Sequence, residues 1–185
     1  MKLSDAVKVY AGSSEAAKAI IGSVEAWAAG GGSGKIARKY TLQAYNNGDG
    51  AVGYAQFYPT AWKFQGSHND TDWTDIDEQT GQTSWSPAVK KEYTFANSTA
   101  YRYYRWLISA GASSNWIIIK EAEIMEAVGE GYGSDICTGG TASAGHYTGA
   151  FTPAKAFDNT TYLENDIWAY QNWTAPEWLK YDLGA

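Results

Sequence analysis

The amino-acid sequence predicts an all-β protein, and three observations support this prediction. The 185 residues include 9 Trp, 14 Tyr and 5 Phe, and aromatic side chains fit the half-buried surface of a pleated sheet. The 20 Gly suit the many turns that such a fold needs. Several segments alternate between apolar and polar residues with the period of two that is typical of a strand. The length corresponds to one domain with a sizeable core.

The first 30 residues precede a Gly-rich stretch and are too short to fold alone, so we expect them to be an attachment or assembly segment. Within this segment, residues 13–27 fit two structures equally well. One is a helix capped by Ser13 or Ser14. The other is a pair of short strands broken at Gly22.

Residues 35–128 predict a series of strands. In residues 38–44 the apolar side chains fall on one face, and residues 62–65 repeat the alternation. Residues 101–109 are aromatic on both faces, and residues 116–125 contain three consecutive Ile. Both patterns are typical of strands that are covered on both sides.

Two polar stretches in this block, residues 67–72 and 77–84, predict turns, the second with Gly81 available for a positive φ. After a second Gly-rich stretch, residues 134–185 predict loops until residues 177–184. Leu179, Tyr181 and Leu183 alternate there, which predicts a final strand that needs a neighbour.

Composition excludes several classes of partner. The net charge is −6 and no Lys or Arg cluster is present, so nucleic acid is not an expected partner. No apolar run approaches the roughly 18 residues of a membrane span, and charges at Lys18 and Glu25 interrupt the only candidate for a signal segment. We therefore expect that the protein is made in the cytoplasm and does not insert into a membrane. The single Cys137 precludes an internal disulfide and is expected to be a buried apolar side chain.

Several motifs together resemble the discoidin, or coagulation-factor C-type, domain. The segments that resemble its second half are Trp62-Lys63-Phe64-Gln65-Gly66-Ser67-His68-Asn69-Asp70-Thr71-Asp72-Trp73, Tyr101-Arg102-Tyr103-Tyr104-Arg105-Trp106 and Ala122-Glu123-Ile124. The segments that resemble its first half are Pro153-Ala154-Lys155-Ala156-Phe157-Asp158-Asn159 and Trp178-Leu179-Lys180-Tyr181-Asp182-Leu183-Gly184. The resemblance implies a galactose-binding-like jelly-roll β-sandwich over residues 31–185, and many such domains bind carbohydrate.

The two halves occur in inverted order, which implies a circular permutation: residues 35–128 resemble the second half and residues 134–185 the first. Domain termini are often close together, so a short joint at residues 129–133 can connect the former ends. We expect the final strand to lie beside the strand that begins near Arg38. Three arrangements remain open: closure within one chain, exchange of residues 134–185 with a neighbouring copy, or a piece of a tandem array.

The resemblance also implies ligand-binding loops. Aromatic rings pack against the apolar face of a sugar, while polar side chains meet its hydroxyl groups. The candidate ligand-binding residues in segments that resemble the family's variable loops are Tyr58, Trp85, His146, Tyr147, Tyr170, Asn172 and Trp173. Five tryptophans at core positions of the family pattern are assigned to packing: Trp62, Trp73, Trp106, Trp168 and Trp178.

A structural calcium ion is a second implication of the resemblance. The matching ligand positions are Asp158, Thr161 and Glu123, and oxygen ligands of this kind suit Ca²⁺. The chain departs from the family in having Asp158-Asn159 instead of Asp-Gly, and it inserts residues 162–167 before Trp168.

Catalysis is not expected. The histidines His68 and His146 lie in predicted loops, no Gly-x-Ser-x-Gly motif is present, and nothing singles out one pair of acids as a glycosidase pair. One Cys and two distant His do not form a zinc motif.

The N-terminal residues Val7-Lys8-Val9-Tyr10-Ala11-Gly12-Ser13 resemble short repeats at the starts of tailed-phage tail and fibre proteins, and the Tyr-Arg-Tyr-Tyr-Arg-Trp motif resembles phage copies of the discoidin pattern. We therefore expect a homo-oligomeric virion protein that attaches to cell-surface glycans and contacts other virion proteins. Two alternatives are a purely structural decoration or assembly protein of a capsid or tail, and a sugar-binding module of a bacterial hydrolase.

Overall fold

The computed structural model describes residues 19–21, 24–26, 34–45, 57–86, 89–160 and 166–184. These residues fall into two units, which divide after Ser33. In the first unit, β1 (Ala19–Ile21) pairs antiparallel with β2 (Val24–Ala26). Of the two structures that the sequence left open for this segment, the pair of strands is therefore the correct one.

The second unit contains a four-stranded antiparallel sheet. Its strands are β3 (Ala37–Gln43), β6 (Lys90–Thr94), β9 (Glu121–Val128) and β10 (Gly131–Asp135), in the order β10-β9-β3-β6. The predicted joint at residues 129–133 is the tight turn between β9 and β10 together with the start of β10, and Gly129 has φ +60° there.

A five-stranded antiparallel sheet faces the first. Its strands are β4 (Pro59–Ser67), β5 (Thr74–Gln79), β7 (Tyr103–Gly111), β11 (Thr141–Ala144) and β13 (Glu177–Asp182), in the order β11-β13-β7-β4-β5. The described residues also form a further pair, β8 (Trp116–Ile119) with β12 (Trp168–Gln171), and a 3₁₀ helix at Pro153–Ala156.

The core between the sheets is aromatic. Tyr40 of β3 lies 4.6 Å from Phe64 of β4 between ring centroids, and Phe64 stacks on Tyr104 of β7 at 5.5 Å. Trp62 donates a hydrogen bond of 2.9 Å to the hydroxyl of Tyr40, which donates one of 2.7 Å to Asp77. These contacts join both sheets and confirm the prediction of an all-β sandwich. Cys137 is buried, as predicted.

The final strand contradicts the expected pairing. It does not lie beside β3, which is flanked by β6 and β9. Instead β13 pairs with β7 on one side and β11 on the other, within the same chain. The reason is that Leu179 and Tyr181 complete the inner face of the five-stranded sheet.

Two further predictions on secondary structure were only partly complete. The described part of residues 134–176 is mostly loop, as predicted, but it also contains β11, β12, the 3₁₀ helix and the end of β10. These strands are short and partly built from small residues, so they lack a clear alternating pattern. The predicted turn at residues 77–84 begins later, since β5 continues to Gln79, although Gly81 has the expected positive φ.

The outer face of the five-stranded sheet also differs from expectation. Strand β7 was predicted to be covered on both faces, yet its outward side chains are only half-buried. Trp73 and Trp178 are not core residues: Arg105 lies 3.9 Å from the ring of Trp73, and Lys180 lies 5.0 Å from the ring of Trp178. Cations therefore cover these rings, whereas Trp62, Trp106 and Trp168 are buried as predicted.

Candidate functional site

One end of the sandwich gathers the loops that carry the predicted ligand-binding residues. Strands β5, β7 and β11 end there, and β4 and β13 begin there, because neighbouring strands are antiparallel. We call this end the loop rim; its residues are 58, 80–86, 112–116, 145–147 and 170–176. All seven candidate ligand-binding residues lie in it.

The first group in the loop rim is centred on His146, which follows β11. Its ring stacks on that of Tyr170 with 4.8 Å between centroids and 15° between planes. Its Nδ1 lies 2.8 Å from Oε2 of Glu177. Since a carboxylate can only accept, this contact selects the form of the imidazole with a hydrogen on Nδ1. We call His146, Tyr170 and Glu177 the His146 cluster.

The two hydrogen-bonded partners in this cluster, Glu177 and His146, differ sharply in exposure. The side chain of Glu177 is 3% exposed, and that of His146 is 66% exposed. The other oxygen of Glu177 accepts a hydrogen bond of 2.7 Å from the backbone N–H of Trp178. Both carboxylate oxygens are therefore satisfied, and the carboxylate holds the imidazole in a fixed orientation with Nε2 directed away from it.

The carboxylate of Glu177 lies so close to the backbone of the residue before His146 that this residue has to be glycine. A Cβ at Gly145 would lie 2.2 Å from Oε1 of Glu177. Trp168, which is fully buried, donates a hydrogen bond of 3.1 Å to the carbonyl of His146. The backbone that carries the imidazole is thus anchored to the core.

The remaining predicted residues of this half of the rim have separate roles. Tyr147 is 53% exposed, which leaves its ring available to a ligand. Asn172 is exposed and has φ +57°, and its backbone N–H bonds to the carbonyl of Asn115. Trp173 is buried against Gly111 and donates to the carbonyl of Ser113 at 2.7 Å. Trp173 therefore packs beneath the loop.

A second group in the loop rim is centred on Trp85, which lies between β5 and β6. Tyr58 stacks on its ring with 5.4 Å between centroids, and Trp62 lies against it at 6.2 Å. The ammonium of Lys91 lies 4.8 Å from the centre of the same ring. We call Tyr58, Trp85 and Lys91 the Trp85 cluster.

No family model and no curated protein matches this sequence. The geometry of the loop rim therefore carries the functional argument.

Two of the three predicted metal ligands, Glu123 and Asp158, lie in the described residues, and each has polar partners within the protein. The carboxylate of Glu123 accepts a hydrogen bond of 2.8 Å from Thr41 and pairs with Lys90 at 2.6 Å. Asp158 accepts from both the backbone N–H and the hydroxyl of Thr160. Thr161 lies outside the described residues. In the part of the chain that the structure describes, no group of three or more His, Cys, Asp and Glu side chains is arranged to hold a metal ion.

Glu121 is a carboxylate beside Asp158 that the sequence did not single out. It is completely buried, and among the described residues neither of its oxygens has a hydrogen-bond partner. Burial raises its pKa to about 8, the charges of Asp158 and Glu123 add to this shift, and Lys90 and the backbone of Asn159 oppose it. On the other side of Asp158, the hydroxyl of Thr160 contacts Asp166 as well. One hydroxyl hydrogen can satisfy only one of these two carboxylates.

Three functional residues were thus missed by the sequence reasoning. For Glu177 a signal existed, since it alternates with the inward Leu179 and Tyr181 and is therefore an inward acid. Glu121 occupies a position that alternation assigns to solvent, so only the covering segment near Asp158 explains its burial. The place of Lys91 beside Trp85 depends on the path of the loop between them and has no local signal.

None of the described residues forms a helix with the length and hydrophobicity needed to cross a membrane.

Proposed function

We propose that the protein binds carbohydrate through the loop rim and does so without catalysis. The single observation that carries this proposal is the His146 cluster, in which a buried carboxylate fixes an exposed imidazole that is stacked on Tyr170. Preorganised polar groups of this kind orient a ligand at little entropic cost.

The chemistry of a sugar fits the side chains in this half of the rim. The exposed ring of Tyr147 can pack against the C–H face of a pyranose. The Nε2 atom of His146 can meet a hydroxyl group as donor or acceptor, depending on its protonation. Asn172, which is exposed in the next loop, supplies an amide that can both donate and accept.

The dimensions of the loop rim suit more than one sugar unit. The His146 cluster follows β11, and the Trp85 cluster packs on Trp62 of β4, three places away in the five-strand order. With strands about 4.8 Å apart, the two clusters are separated by about 14 Å along the sheet. An oligosaccharide can therefore extend along the rim from one cluster to the other.

Attachment of a virion to host-surface glycans is the biological setting that we propose. It is supported by the resemblance of residues 7–13 to phage tail and fibre proteins, and these residues lie outside the described ones. A shallow sugar site binds weakly, so many copies in a homo-oligomer or on one particle would raise the avidity by about 10²–10⁴. Other virion proteins would be the partners of the first 30 residues.

We further propose that a structural calcium ion binds between Glu121 and Asp158. Two observations support this proposal: the oxygens of the buried Glu121 have no hydrogen-bond partner among the described residues, and the hydroxyl of Thr160 is shared between Asp158 and Asp166. A cation would compensate the charges of Glu121 and Asp158. The ion would neutralise the local negative charge and hold residues 158–160 against β9. It would take Glu121 in place of the Glu123 that the resemblance implied.

The glycan proposal is tested by binding to a glycan array with single-residue variants. Tyr170→Ala and Tyr147→Ala should each reduce binding about fivefold or more, since aromatic contacts to a ligand contribute on the order of 1 kcal/mol or more. Tyr132→Ala is the matched control, because Tyr132 is also an exposed tyrosine (45%) but lies in β10, away from the rim.

Equal losses in all three variants would contradict the location of the site. Binding to no glycan, together with stable assembly onto purified particles, would instead support the structural decoration role.

A further inference from the structure

Lys91 differs from most other described lysines in having no carboxylate partner among the described residues. Five lysines form ion pairs: Lys35 with Glu126, Lys39 with Glu92, Lys63 with Asp75, Lys90 with Glu123 and Lys180 with Asp70. The ammonium of Lys91 instead donates a hydrogen bond of 2.6 Å to the carbonyl of Thr83 and lies over the ring of Trp85. Burial alone lowers the pKa of Lys91, and no carboxylate offsets this effect.

Trp85 carries a second unused donor at the same place. The residue is 7% exposed, and its Nε1–H is buried without a hydrogen-bond partner in the described part of the chain. A buried donor without an acceptor is unfavourable. Its ring is fixed by Tyr58 on one side and by Trp62, so the donor cannot turn freely towards another acceptor.

The donors of the Trp85 cluster match the acceptors of a carboxylate. An ammonium has three N–H groups, and Thr83 uses one of them, so two remain on Lys91, whose nitrogen lies 4.8 Å from the centre of the ring that carries the indole N–H. A carboxylate offers about four lone-pair positions on two oxygens. A carboxylate also supplies a negative charge to pair with the positive charge of Lys91. A hydroxyl group of a neutral sugar would leave the charge of Lys91 uncompensated.

We propose that the Trp85 cluster binds the carboxylate of an acidic sugar, so that the glycan of the loop rim contains uronic acid or sialic acid units. This inference rests on the proposed function. The His146 cluster then contacts the neutral part of the same oligosaccharide, and the Trp85 cluster selects chains that carry an acid.

The test follows the indole Nε1–H signal of Trp85 by ¹H–¹⁵N NMR while the full chain is titrated with sugars. The probes are D-glucuronic acid and N-acetylneuraminic acid, which separate the two sources of a carboxylate, and the methyl ester of D-glucuronic acid, which keeps the shape and removes the charge. We expect a downfield shift of this signal with at least one acid, and affinity for the ester about tenfold or more lower.

Variants separate the charge of Lys91 from its packing. Lys91→Met should lower the affinity for the acid by about tenfold to a hundredfold, and Lys91→Arg should retain most of it. Lys180→Met is the matched control, since Lys180 lies at a similar distance over Trp178 but is paired with Asp70. This control should leave the affinity unchanged. Thermal unfolding of each variant establishes that the fold is retained.

Equal affinities for the acid and its ester, or no effect of Lys91→Met in a folded protein, would overturn this inference. If neutral glycans still bind and Tyr170→Ala abolishes their binding, the proposed function stands and only the acidic specificity fails. If glucuronic acid binds through Lys91 but Tyr170→Ala and Tyr147→Ala change no glycan affinity, the acidic site stands and the role of the His146 cluster fails.

Discussion

Two buried glutamates lie at similar depth but in opposite electrostatic situations. Glu177 has both oxygens hydrogen-bonded, to His146 and to a backbone N–H. Glu121 has neither oxygen bonded, and the acid Asp158 raises its pKa further after burial has done so. A buried carboxylate without partners is costly when ionised. The satisfied residue therefore fits a positioning role, and the unsatisfied one fits a cation site.

Glu121 gives a prediction on stability and pH in calcium-free protein. The pKa of Glu121 is about 8 in the folded protein, against an ordinary value of 4.5, so between pH 4.5 and pH 8 the folded state holds a proton that the unfolded state releases. The stabilisation is complete below about pH 4.5 and is lost as the pH rises through about 8. Glu121→Gln removes this loss and should make the protein more stable than wild type above pH 8, by a few kcal/mol at most, in urea unfolding.

Calcium should reverse the order of stability of the wild type and Glu121→Gln. Added Ca²⁺ should stabilise the wild type near pH 8 and have no effect on Glu121→Gln. The matched control is Glu123→Gln, which removes the ion pair with Lys90 and should destabilise the protein at neutral pH while retaining the response to calcium. A calcium response that is lost in the control and kept in Glu121→Gln would return the ligand role to Glu123.

At the scale of elements, β13 depends on close backbone contact with the turn before β11. A Cβ at Gly140 would lie 2.1 Å from the carbonyl oxygen of Asp182, which is backbone and cannot turn aside. Gly140 also bonds through its N–H to the hydroxyl of Tyr181 at 2.9 Å. The position is therefore restricted to glycine by contact with the last strand.

Gly140→Ala should destabilise the domain by about 2 kcal/mol or more, because the pairing of β11 with β13 must shift. Gly131→Ala is the matched control, since its added Cβ would meet only a carbonyl oxygen at 3.9 Å. Thermal unfolding of both variants checks the difference. Equal midpoints would mean that the edge strand β11 adjusts without cost.

Period-two alternation explains which elements could be predicted from the sequence. It located β3, β4 and β13, where apolar side chains alternate over several residues. It did not locate β11, whose four small residues make no pattern. It also could not predict which strands are neighbours, since both sheets offer similar inner faces and the pairing of β13 with β7 is decided by the whole core.

The resemblance assigned the candidate ligand-binding residues to loops, and it did not predict how these loops are arranged. All seven candidate ligand-binding residues lie at one end of the sandwich, which follows from strand direction. The stacking of His146 on Tyr170 and of Tyr58 on Trp85 depends on contacts between distant loops. The partners Glu177 and Lys91 likewise enter from strands. Alternation identifies Glu177 as an inward residue, whereas no local pattern places Lys91 beside Trp85.

At the scale of the whole molecule, the two ends of the sandwich unit lie side by side. Lys35 exchanges two backbone hydrogen bonds with Tyr101, of 3.0 and 3.1 Å, and the N–H of Leu183 bonds to the carbonyl of the adjacent Arg102 at 3.0 Å. A circular permutation requires ends that are close enough to join. This adjacency supports the permutation that the inverted order of motifs implies.

A re-permuted chain tests this interpretation. It begins at Glu130, runs to Gly184, continues through a linker of about three residues into Gly34, and ends at Gly129. We expect it to unfold cooperatively at a temperature close to that of residues 34–184 in their original order, because it keeps every strand pair. A chain opened instead within β7 should not fold. If neither chain folds, the prediction that the fold tolerates the new order of segments is wrong.

The place where the chain enters the sandwich decides how it would bear mechanical load. The adjoining residues Lys35 and Leu183 lie at the start of β3 and the end of β13, and the loop rim lies where β13 begins. A pull between a glycan held at the rim and an anchor ahead of Gly34 would act along the strands. Hydrogen bonds between antiparallel strands are perpendicular to that direction, so β3 would have to slide past β6 and β9 together. Such a shear loads many bonds at once, which suits a tether that must survive stretching.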